Sequence, residues 1–117
     1  MGSPIDAATM ANLLDITGGD QSFVDELVDT YVAEGERIVG ELVTAAEGGA
    51  VADMVRPAHS LKSSSLNVGA LELGELCRRL EQDALGGAVA DPVVRASEVR
   101  IAFETARAAL LEERAQR

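Results

Sequence analysis

The chain has 117 residues, of which 47% are hydrophobic, 26% charged and 3% aromatic, and it carries a formal charge of −10. That length suits one domain with its own core, and the charge excludes a nucleic-acid partner, because binding to a phosphate backbone draws on a surplus of lysine and arginine. The single cysteine, Cys77, excludes an internal disulfide, and no apolar run approaches the roughly 20 residues needed to cross a bilayer. A cytoplasmic protein with no membrane segment is expected. Residues 1–4, Met-Gly-Ser-Pro, lack both the basic and the apolar region of a signal peptide and are set aside as an expression scar or a disordered N-terminus. Residues 5–117 are read as a single domain. The charge is unevenly spread: residues 1–55 hold 11 acids and one base, Arg37, whereas residues 56–117 hold nine of each. The acidic half reads most simply as solvated surface.

Glycine and proline divide the chain into helical pieces, and no stretch alternates with the period of a strand. The first piece, about Asp6 to Ile16, ends at Gly18-Gly19, which suit a left-handed helix cap. Asp20 then reads as the N-cap of a long amphipathic helix from about Gln21 to Glu47, with its apolar stripe assigned to Phe23, Leu27, Tyr31, Ile38, Leu42 and Ala45. The third piece, about Val51 to Val68, has a core stripe at Met54, Ala58, Leu61, Ser65 and Val68. Pro57 within it demands a kink or a helix that begins near it, since an interior proline removes a donor and clashes one turn back. Gly69 precedes a fourth helix striped by Leu73, Leu76, Cys77, Leu80 and Ala84 and stopped at Gly86-Gly87. Asp91 as cap and Pro92 at the first helical position open a last helix that turns Ala96, Val99, Phe103, Ala106 and Leu110 inward and frays after Glu113. The expected fold is all-α: an antiparallel up-and-down four-helix bundle with a short extra N-terminal helix across one end. Phe23, Tyr31 and Phe103 are its large core pieces.

Most catalytic templates fail on residue types. There is no glycine-rich phosphate loop, no Cys-x-x-Cys and no second histidine for a zinc pair, so no metal or cofactor site is expected. Cys77 falls on an apolar stripe and reads as a small buried hydrophobe. His59 lies off the core stripe of its helix and shares a face with Val55, Lys62, Ser63 and Leu66, so it should point outward. On geometry alone it is most simply an ordinary surface histidine. Its setting adds a second reading: imidazole is largely neutral and nucleophilic near neutral pH, Lys62 one turn along can pair with phosphoryl oxygens, and small Ser63 leaves room for a tetrahedral group.

The run from Arg56 through His59, Leu61-Lys62 and Ser63-Ser64-Ser65 to Gly69-Ala70, continued by Leu73, Leu76-Cys77 and Leu80-Glu81, resembles the signature of the histidine-containing phosphotransfer (HPt) domain. The resemblance is specific over about residues 56–81 and extends more weakly to the rest through the helix lengths and the Gly-Gly-Asp-x-x-Phe segment at 18–23. It departs at Ser63, where the family usually has glycine, and at Pro57. The family implies a four-helix bundle whose exposed histidine carries a phosphoryl group between aspartates of response-regulator receiver domains. Carried onto this chain, it makes His59 the phosphoacceptor, through the ring nitrogen farther from the backbone, and Lys62 the neutraliser of phosphoryl charge. Val55, Ser63 and Leu66, with apolar residues of the first two helices, become the receiver docking surface. The expected protein is a monomeric phosphoryl carrier without turnover of its own, free-standing or cut from a hybrid histidine kinase, with any Mg²⁺ residing on the receiver. Two alternatives stand beside it: the phosphoacceptor domain of a chemotaxis-type histidine kinase, and a helical interaction module whose His59 is inert.

Overall fold

Three of the helices begin where the sequence supplies a capping aspartate or a proline. In the computed structural model, which describes residues 4–116, the Asp6 carboxylate accepts the Thr9 N–H at 3.3 Å and the Thr9 hydroxyl at 2.6 Å, opening α1 (Ala7–Ile16). Asp20 accepts the Phe23 N–H at 3.3 Å and opens α2 (Gln21–Glu47). A 3₁₀ turn over Val51–Met54 leads into α3 (Val55–Asn67), followed by α4 (Leu71–Leu85) and α5 (Pro92–Ala115). No strand is present among the described residues.

Helices α2 to α5 form the four-helix bundle: α3 packs on α4, α2 on α5, and α2 on α3. Its 44 Å long axis is close to the roughly 40 Å that α2 spans at 1.5 Å per residue. Helix α1 is tied to the end of the bundle where α3 turns into α4, through the Asp6 N–H donating to the Gly69 carbonyl at 2.8 Å and through buried Met10. Gly69 has φ of 83°, and a Cβ there would sit 3.0 Å from the Asp6 carbonyl oxygen, so both its backbone and its neighbour require glycine. Of the stretch set aside as a scar or disordered N-terminus, residues 1–3 lie outside the described residues, and Pro4 is half-buried beside Thr105 and Ala108 of α5.

The core stripes of α3 and α5 fall at the expected positions. The stripe of α2 is rotated in its first half. Val24 and Val28 are buried, whereas Phe23 is 51% exposed and Leu27 only half-buried; near the far end Ala46 rather than Ala45 is fully inside. The continuous stripe is Val24, Val28, Tyr31, Gly35, Ile38, Val39, Leu42 and Ala46, and it passes through a glycine that contributes no apolar signal. Gly35 is there for Phe103: a Cβ would overlap the ring at Cε1, and the ring packs at 5.8 Å between centroids, tilted by 52°, on Tyr31.

The remaining local expectations are settled by helix-end geometry, ion pairing and burial. Pro57 is the third residue of α3, within the first turn, where its missing N–H breaks no helical bond; the helix begins near the proline and is not kinked by it. Asp91 occupies the cap position of α5 in the left-handed region (φ 48°), but its side chain makes no capping hydrogen bond, so the start rests on Pro92. Helix α5 does not fray after Glu113. It continues to Ala115 because the Arg114 guanidinium pairs with Asp29 and donates to the Asp25 carbonyl at 3.3 Å, tying the last turn to α2. On α4, Leu76 is half-buried, and Gly74 takes a core position in the stripe with Leu73, Cys77, Leu80 and Ala84.

Candidate functional site

Residue 59 stands on the second turn of α3, one position past buried Ala58 and two before buried Leu61, so the same packing that holds α3 turns its side chain outward. The His59 side chain is 57% exposed. Its Nδ1 lies 2.7 Å from Oε2 of Glu81 on α4, and the other carboxylate oxygen, Oε1, accepts from Lys62 Nζ at 2.7 Å. Glu81 is the most sheltered of the three, with its side chain only 13% exposed. One carboxylate thus bridges the histidine and the lysine across the α3–α4 seam.

The Lys62 ammonium bonding to Glu81 does most to hold the Glu81 carboxyl below its usual range; burial opposes it, and the His59 bond adds a smaller lowering. An ionised carboxylate can only accept, so the Nδ1 of His59 must carry the hydrogen in this bond. In the neutral ring that leaves the lone pair on Nε2, the nitrogen farther from the backbone. Glu81 therefore fixes both the tautomer and the ring orientation, as a carboxylate does behind a metal-bound imidazole.

Beneath this cluster the core is closed to chemistry. Burial pushes the Cys77 thiol up to about 12, with the Glu81 charge adding to the effect, so it stays protonated and inert. Tyr31 is also pushed up to about 12 by burial, opposed by its 2.8 Å hydrogen bond with Ser65, which satisfies the one buried polar side chain of the α3 core stripe.

Of the residues singled out by sequence, the structure brings His59 and Lys62 together through Glu81. Lys62 is 24% exposed and already ion-paired, rather than a free cation awaiting an anion. Val55 is half-buried, while Ser63 and Leu66 are exposed on the same face of α3, Leu66 lying against the space left by Gly74. Exposed Phe23 and Ile16 supply apolar surface on the first two helices. Glu81 received no role from the sequence reading, although a signal was available: an acid one residue past Leu80 and four past Cys77 sits at the margin of an apolar stripe. No group of three or more His, Cys, Asp or Glu side chains placed to hold a metal is found among the described residues, and none of the described helices is long and apolar enough to cross a membrane.

Comparison with known proteins gives the same reading from outside. The crystal structure of histidine-containing phosphotransfer protein B (HptB) from Pseudomonas aeruginosa PAO1 is similar over 100% of this chain and 99% of that one, with 25% identity and a TM-score of 0.87. No curated protein matches. The family model described as Hpt domain matches residues 26–114, which span α2 to α5 with the His59 cluster inside them, and the chain therefore belongs to the Hpt domain family of histidine phosphotransfer proteins.

Proposed function

We propose that this chain carries a phosphoryl group on Nε2 of His59 between aspartates of response-regulator receiver domains, as a monomeric cytoplasmic intermediate with no turnover of its own. The observation that carries the reading is the bridging carboxylate: Glu81 holds Nδ1 of a histidine whose side chain is 57% exposed, which leaves the lone pair of the neutral ring on Nε2. In loading, that lone pair attacks the phosphorus of an aspartyl phosphate. The Nε2–P bond forms, the P–O bond to the aspartyl carboxylate breaks, and the carboxylate leaves as an anion. The Nδ1 proton stays on the ring, where the positive charge that develops faces Glu81. Unloading is the reverse, with neutral imidazole as leaving group.

Phosphoryl transfer of this kind passes through a loose transition state, so alignment and charge neutralisation matter more than covalent help. The receiver supplies its own Mg²⁺, and Lys62 supplies charge on this side while Glu81 keeps its ammonium beside the ring. Val55, Ser63 and Leu66 form the near part of the docking surface, and apolar side chains such as Phe23 and Ile16 offer a wider one. The test is transfer from a panel of phosphorylated receivers: label is expected on the wild-type protein, lost in acid and retained in base, and absent from His59→Gln. Label that survives that substitution, or no label from any receiver, contradicts the reading.

A further inference from the structure

Four serines cluster around the site on α3, and their hydroxyls are not equivalent. Ser64 Oγ donates to the Ser60 and Leu61 carbonyls at 3.1 and 3.3 Å, and Ser65 is committed to Tyr31 inside the core. Neither Ser60 nor Ser63 makes a side-chain hydrogen bond among the described residues, but Ser60 is only half-exposed and adjoins His59 in sequence, about 100° away around the helix. Ser63 is exposed and lies four residues after His59 on the same face, where Cβ atoms are about 5–6 Å apart. Helical side chains lean towards the N-terminus, so the Ser63 hydroxyl leans back towards residue 59.

We infer that Ser63 is a phosphoryl-binding residue: its hydroxyl donates a hydrogen bond to an oxygen of the phosphoryl group on His59 Nε2. This rests on the phosphohistidine reading above and gives Ser63 a role different from merely leaving room for the partner. The phosphoryl group presents three anionic oxygens, and the nearest cation, Lys62, already shares its charge with Glu81. A neutral donor that bonds to nothing in the unloaded protein is free to serve the loaded one. Such a bond stabilises the dianionic ground state more than a loose, metaphosphate-like transition state, so it lengthens the lifetime of the phosphohistidine.

The probe is phosphoramidate, which phosphorylates accessible imidazoles chemically and needs no partner, with hydrolysis at neutral pH followed by ³¹P NMR. Ser63→Ala removes only the oxygen and leaves the site no more crowded; Ser63→Thr keeps the hydroxyl. The expected lifetime of phosphorylated Ser63→Ala is about threefold shorter than wild type, the size left to a charge-assisted hydrogen bond when solvent competes. Ser63→Thr should stay close to wild type, and thermal midpoints of all three unloaded proteins should agree. Equal lifetimes for wild type and Ser63→Ala overturn the inference, as do equal lifetimes for the alanine and threonine variants, or acid-stable phosphate found on Ser63. A protein that loads from phosphoramidate but from no receiver would instead sink the relay reading and leave the role of the hydroxyl standing.

Discussion

A single carboxylate with two hydrogen-bond partners distinguishes His59 from an ordinary surface histidine. Because Glu81 is held below its usual carboxyl range, its contribution to stability is fully present above that range and is lost as pH falls through the lowered value. Denaturant midpoints of wild type and Glu81→Gln should therefore differ most near neutral pH and converge as acid protonates the carboxylate. A gap that stays constant into acid would show that the charge of Glu81 does not matter to the fold. For transfer, Lys62→Ala is expected to slow loading from a receiver by about tenfold, about 1.4 kcal/mol, with circular dichroism unchanged. Lys62→Arg should recover only part, since a planar fork replaces a mobile point charge. A wild-type rate in Lys62→Ala would leave all charge neutralisation to the receiver. At this scale the sequence was informative about His59 and Lys62, which sit three apart on one helix face. It placed Glu81 at the margin of an apolar stripe without giving it a role, because a contact across 22 residues depends on how α3 and α4 are aligned, which no local spacing encodes.

The helices themselves were legible wherever punctuation was strong. Asp20 and Gly48 bound α2 at the expected residues, since a capping carboxylate and a glycine each satisfy orphaned backbone groups at a helix end. What misled was size: Phe23 suggested a core anchor, yet the true stripe runs through two valines and a glycine, with large Phe103 reaching in from α5 to fill the gap at Gly35. Two glycines of α2 therefore make opposite predictions. Gly35→Ala should destabilise by about 1–3 kcal/mol through overpacking against the Phe103 ring. Gly40→Ala, with nothing within 4 Å of the new methyl, should stabilise by about 0.5–1 kcal/mol through helix propensity. Urea titrations read both: stabilisation by Gly35→Ala would mean that Phe103 repacks freely, and destabilisation by Gly40→Ala would contradict the open space around it. On α3, Leu61→Ala should cost about 2–5 kcal/mol and His59→Gln no more than about 0.5 kcal/mol, following their burial.

For the molecule as a whole, the bundle follows from amphipathic helices joined by glycine-rich turns, and the acidic surplus of residues 1–55 lies mainly along exposed positions of α2. What composition did not reveal is how the tail of α5 is fastened, because Arg114 finds Asp29 across 85 residues. We propose that residues 5–117 unfold as one cooperative unit. Tyr31, the only tyrosine and buried in the core, reports tertiary packing, while far-ultraviolet circular dichroism reports the helices. The two transitions should coincide, and separated transitions would divide the chain into independent parts.

We propose that the phosphoryl group rides on Nε2 of His59 with Nδ1–H retained against Glu81, and ¹⁵N–³¹P correlation NMR of the protein loaded from a phosphorylated receiver reads the attachment atom itself. A single phosphorus resonance coupled to Nε2 of the one histidine in the chain, absent from His59→Gln, is the predicted result. Phosphorus coupled to Nδ1, or attached to a serine or carboxylate oxygen, would contradict it.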